Sequence, residues 1–107
     1  MRRVGQARKR DANEPEIVAA LERIGVQVFL VSGDGIPDLN TYDARRRAIW
    51  RGVRHMWLPV EVKRPRGKLT PSQASTKQRA PFPVVETVDQ ALALFGVRPI
   101  PAPEAAC

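Results

Sequence analysis

Two short stretches of this chain carry the residue types of a hard-cation site: Pro37-Asp38, and later Glu61-Val62-Lys63. Side chains alternate faces along a strand, so Glu61 and Lys63 emerge together while Val60 and Val62 point to the opposite side. Two apolar residues then anchor the strand in a core and leave a carboxylate beside an ammonium. If Asp38 ends a neighbouring strand, its carboxylate meets Glu61 at one site. Mg2+ prefers such a site, made from carboxylates and completed by water and phosphate oxygens. The chemistry expected is metal-dependent hydrolysis of a phosphodiester.

The elements that must hold these residues can be read along the chain. Residues 1–10 contain Arg2, Arg3, Arg8, Lys9 and Arg10 and no acid, which predicts a flexible basic arm. Asn13 has the character of an N-cap, with Pro15 in the first turn and Glu16 at the capping-box position. Ile17, Val18, Leu21 and Ile24 follow at helical spacing, and Gly25 stops the helix. Strands are predicted over 26–32 and 36–42, joined by a Gly33-Asp34-Gly35 turn. Residues 43–56, rich in arginine around Ile49, Trp50 and Val53, fit a short helix or an elaborated hairpin. A strand over 57–64 bears Glu61 and Lys63, with Pro59 at its start or at a bulge. Thr70-Pro71-Ser72-Gln73 opens a second helix through a capping box. A strand over 82–86 and a helix from Thr87 to Gly96 close the domain. Residues 97–107, with three prolines, read as a loose tail. The order implies one α/β domain, a sheet covered by helices.

At 107 residues the chain can bury one core and not two. The 18 Lys+Arg against 11 Asp+Glu give a formal charge of +7, an electrostatic footprint for a polyanion, nucleic acid first. The one cysteine, Cys107, excludes an internal disulfide and a cysteine-based zinc site, and a single histidine excludes a His-pair metal motif. No apolar h-region follows Met1-Arg2-Arg3, and no apolar run could span a bilayer, so a cytoplasmic protein is expected.

Asp11 to Ile17, Gly35-Ile36-Pro37-Asp38-Leu39, Glu61-Val62-Lys63, Lys68 to Gln73 and Val84 to Leu92 together resemble the VRR-NUC family. Its members, stand-alone or appended and common in phages, belong to the PD-(D/E)XK nuclease superfamily. The resemblance spans residues 11–96, with 43–56 as an arginine-rich insertion where the family has a simple hairpin. It implies a restriction-endonuclease-like core, a small mixed β-sheet flanked by helices. It also implies that Asp38 and Glu61 bind Mg2+, with Mn2+ as substitute, and that the Val62 carbonyl adds a ligand. Lys63 would position the attacking water, Gln73 would support the site, and Glu14 would reach the metal from the first helix. The implied activity is a structure-selective DNA endonuclease acting on branched DNA such as Holliday junctions, as a homodimer, in a bacterial or phage-infected cell.

Residue-level physics sharpens some of these roles. At about 100° per residue, Glu14 shares a helix face with Val18 and Leu21 while Glu16 lies opposite. A carboxylate turned inward needs a partner, which favours Glu14 over Glu16. Arg64, Arg66 and Lys68 flank the site, so phosphate contact is expected of them; Arg45, Arg46 and Arg47 divide between phosphate contact and a solvated face. Gln73 has a complete rival explanation as a capping-box residue, and Asp38 after Pro37 has one in turn chemistry. Ile49, Trp50, Val53 and Trp57 are the candidates for an apolar dimer centre. The rival functions are a basic nucleic-acid-binding module with an inactive nuclease site, and a nuclease subunit that needs a partner protein.

Overall fold

Ile17, Ala20 and Leu21 recur at helical spacing and form the buried stripe of helix α1 (Glu14–Arg23). In the computed structural model, which describes residues 11–98, strands β1 (Gln27–Leu30) and β2 (Leu39–Tyr42) follow. A hairpin of β3 (Ala48–Trp50) and β4 (Val53–His55) leads into β5 (Trp57–Val62). Helix α2 (Pro71–Arg79), strand β6 (Val84–Val85) and helix α3 (Val88–Leu94) complete the order. The arm expected at 1–10 and the tail beyond residue 98 lie outside the described residues.

The main sheet runs β1-β2-β5-β6. Its first two pairings are antiparallel and β5–β6 is parallel, so the fold is mixed α/β as expected. Leu39, Leu58, Val60, Val62 and Val85 turn toward Ile17 and Leu21 of α1 and toward Ala91 and Phe95 at α3. Full burial of each such side chain contributes about 1.5–3 kcal/mol. Thr41 shares this inner side, and its hydroxyl donates to the Leu58 carbonyl at 2.7 Å, which makes a polar residue tolerable there. Pro59 sits inside β5 and not at its start or at a bulge. Glu61 and Lys63 turn their N–H groups to β6, and the short β6 does not reach Pro59, so the missing donor leaves no gap in the ladder.

Several expected boundaries shift, each for a local reason. The second strand begins at Leu39 and not at residue 36, because the preceding segment is clamped onto α2. Gly35 has φ +78°, and a Cβ there would lie 2.9 Å from the Ser72 carbonyl oxygen and 3.0 Å from Thr76 Oγ1. The Ser72 hydroxyl donates to Asp34 at 3.0 Å, holding the same loop. The first strand stops at Leu30 and β6 keeps only two residues of the predicted 82–86. The insertion is a hairpin beside the sheet, and β2 still pairs with β5 from Leu39↔Val60 to Tyr42↔Trp57.

The Asn13–Glu16 capping box is not formed. Asn13 holds the N-cap position without a side-chain cap bond, and Glu16 is exposed. The Asn13 amide instead donates to the carbonyls of Lys63 at 3.0 Å and Glu86 at 2.8 Å, tying α1 to the ends of β5 and β6. At α2 the capping box is complete: Gln73 N–H donates to Thr70 Oγ1, and Thr70 N–H donates to Gln73 Oε1.

Candidate functional site

Strand β5 and the loop clamped by Gly35 bring Glu61 and Asp38 together. Glu61 is 0 % exposed and Asp38 6 %. Glu61 Oε1 accepts from the Asp38 N–H at 3.2 Å, and Oε2 accepts from Gln73 Nε2 at 2.9 Å. Lys63 Nζ lies 3.3 Å from the same Oε2. Asp38 Oδ2 in turn accepts from the Val62 N–H at 3.3 Å. In an extended strand the N–H and C=O of one residue face the same neighbour, so the Val62 carbonyl also leaves toward Asp38. Asp38, Glu61, Lys63 and Gln73 are therefore one connected cluster, and Gln73 serves both the helix cap and the carboxylate.

The electrostatics follow from that burial. Removal from water pushes the Glu61 carboxyl up to about 7, the Asp38 charge adds to the rise, and the Lys63 ammonium opposes it. A carboxylate has about four lone-pair sites. Three of those on Glu61 are taken, by Asp38, Gln73 and Lys63. The donor set, two carboxylates and a strand carbonyl, is all hard oxygen and suits Mg2+ or Mn2+ over a softer ion.

Glu14 is buried at 3 % exposure, one residue after Asn13 and hence near the ends of β5 and β6. It does not complete a three-carboxylate site: among the described residues no three His, Cys, Asp or Glu side chains gather as a metal would need. Like charges in one buried spot repel, and the Lys63 ammonium is the counter-charge on Glu61. Glu16, at the opposite side of the helix, is exposed as its register requires.

The arginines separate into two groups. Arg47 donates to both oxygens of buried Asp43, at 2.9 and 3.2 Å, and to the Ile24 carbonyl at 2.8 Å. Burial alone would raise Asp43, but hydrogen bonds and the charge of Arg47 hold its carboxyl below the usual value. The guanidinium is committed to the fold, so Arg47 leaves the set expected to contact phosphate. Arg45, Arg46, Arg66 and Lys68 are exposed. Arg64 is 74 % exposed and reaches Asp11 only at 3.7 Å, an ion pair of little strength.

The proposed dimer centre does not assemble on one face. Trp50 packs against the core, and opposite-face alternation on the hairpin separates Ile49 from Trp50 and Val53. Trp57 belongs to the main sheet. The residues that sequence reasoning missed are Asn13, Gly35 and Ser72, which hold the strand ends and the Asp38 loop. The Gly-Asp-Gly triplet carried a signal for a constrained turn, but nothing in it named α2 as the neighbour.

No protein-family model matches the chain, and comparison with curated proteins and with solved structures found no match. Among the described residues no helix is long and apolar enough to cross a membrane.

Proposed function

We propose that this chain is a metal-dependent DNA endonuclease with a PD-(D/E)XK core of the VRR-NUC kind. The observation that supports it is the buried Glu61 carboxylate, held by Gln73 and Lys63 and facing Asp38. Three donors converge on this group, although an apolar residue would fill the place at lower cost than a desolvated acid. Asp38, Glu61 and the Val62 carbonyl would hold the divalent ion, which when bound polarises the scissile phosphate and acidifies a water. Gln73 fixes the rotamer of Glu61 through its amide. Lys63, 15 % exposed, keeps one end of its ammonium on Glu61 and can offer its remaining N–H donors to phosphate oxygen. Branched DNA as substrate and a homodimer that pairs two sites complete the reading.

A second reading, a basic DNA-binding module whose nuclease site is inactive or needs a partner protein, is favoured by one observation: Glu14 does not join the two carboxylates. One experiment separates the two. Duplex, flap and four-way-junction DNA are incubated with the full chain in Mg2+ and in EDTA. Cleavage of at least one substrate in Mg2+ and none in EDTA is expected. Binding of all three without cleavage in Mg2+ or Mn2+ would establish the inactive module.

Burial also sets an order of importance on α1. Glu14 lies outside the ligand pair, buried at the end of α1 that Asn13 ties to the Lys63 carbonyl, and Glu14→Gln is expected to slow cleavage about 10–100-fold, the range seen when a group that supports the ligands without joining them is lost. Glu16→Gln, in solvent and without a cap bond, should leave the rate unchanged and shift stability by less than about 0.5 kcal/mol. Single-turnover rates of the two variants decide it, and equal losses would remove Glu14 from the site.

A further inference from the structure

Alternation across the antiparallel strands lays out rows on the sheet face opposite the core. Gln27, Tyr42 and Trp57 form one row, and Phe29, Asn40 and Pro59 the next. The row after these is Val31, Asp38 and Glu61, joined by Val31 N–H to the Asp38 carbonyl and by Asp38 N–H to the Glu61 carboxylate. Successive rows are two residues apart, so Trp57 lies ~13 Å along β5 from Glu61 at ~3.3 Å per residue. The Trp57 ring touches both aromatic neighbours, with centroids 4.8 Å from Tyr42 and 5.9 Å from Phe29. Trp57 is nonetheless 50 % exposed and Phe29 47 %. A contiguous aromatic patch left open to water marks a binding surface.

We propose that this platform binds an unpaired DNA strand, stacking bases on Trp57, Phe29 and Tyr42 and leading the backbone to Asp38 and Glu61. Charge supports the choice of occupant. Arg45 follows Tyr42 in the chain and lines one cavity with it, and Lys63 stands at the other end beside Glu61. Cations that track a backbone, with rings that take base faces, are the means by which proteins hold single strands. Gln27 and Asn40 stand beside the rings in the same two rows, where base edges can pair with their amides and an apolar protein partner would leave them unsatisfied. A second copy of the chain is the poorer occupant, because the six residues of these two rows fall well short of the 20–30 a side typical of a stable interface. As the route by which substrate enters the site, this inference rests on the nuclease reading, and it assigns that site DNA with an unpaired segment next to the scissile bond.

The test measures binding in EDTA, where no cleavage can occur, by fluorescence anisotropy of a labelled oligothymidylate and of a labelled duplex. Trp57→Ala should weaken oligothymidylate binding roughly tenfold and duplex binding less than twofold, with Trp57→Phe recovering most of the loss. Phe29→Ala should act in the same direction, and both side chains are exposed enough for the variants to fold, which circular dichroism checks. Undiminished oligothymidylate binding, or equal loss on both probes, overturns the platform. So does conversion of a dimeric wild type to a monomer by Trp57→Ala in sedimentation, since the face is then an interface between copies. Because no metal is present, failure here leaves Mg2+-dependent cleavage intact, and absence of cleavage leaves this binding result standing.

Discussion

Glu61→Gln lowers the single-turnover cleavage rate by about 10²–10³-fold or more, the scale set by removing one group that stabilises transition-state charge. The substitution keeps the size and planar shape of the side chain. What it removes is the negative charge that a cation would need and that Asp38 and Lys63 are arranged around. Folding should not suffer, because a buried ionised acid is costly and its neutral amide is less so. Loss of turnover together with a preserved or raised melting temperature is thus the expected signature, and Asp38→Asn should share the kinetic half of it. A Glu61→Gln protein that still cleaves at the wild-type rate would remove Glu61 from the chemistry and with it the nuclease assignment.

The second large effect is on stability against pH. Glu61 carries a proton more readily in the folded protein, up to about 7, than at its ordinary 4.5. Stability from this group is fully present below pH 4.5 and is lost as pH rises through 7. The metal-free protein therefore becomes less stable across that window, by up to about 3 kcal/mol. Asp43 acts oppositely, but its carboxyl titrates below 3.8 and does not intrude. A divalent ion favours the ionised form, so stabilisation by Mg2+ should be small at pH 5 and larger at pH 8. Thermal denaturation at both pH values, in EDTA and in Mg2+, reads these changes. Glu61→Gln should flatten the slope in EDTA; an unaltered slope would mean that another group titrates.

Much of this was legible in the sequence because the relevant signals are local. The apolar stripe of α1, the Thr70–Gln73 box and the alternation around Glu61 each occupy a few adjacent residues, and each element formed where its pattern stood. The insertion stayed open between a short helix and a hairpin, for a conformational reason. Its turn places Arg51 and Gly52 at φ 53° and 76°, where Asn-Gly or Asp-Gly is the usual signal. The burial of Asp43 was missed because its partner, Arg47, looked like one more surface arginine. Asn13 occupied a cap position while its side chain bonded residues 50 and 73 positions away, and no spacing rule reaches that far. Within the site, strand alternation put Glu61 and Lys63 on one face and the Thr70 box placed Gln73 beside them, whereas the helix face of Glu14 did not bring it to the two carboxylates.

The amide of Gln73 carries a consequence for what sequence drift can do here. As a helix-opening residue, position 73 should accept glutamate as readily as glutamine, since either closes a capping box. Its carboxamide nitrogen, however, is the donor 2.9 Å from Glu61. Glutamate would keep the cap and set a second anion against the first, asparagine would be one methylene short, and alanine would lose both bonds. A position with two interchangeable residues by the grammar of helices is thus left with one, and the restriction comes from outside the helix.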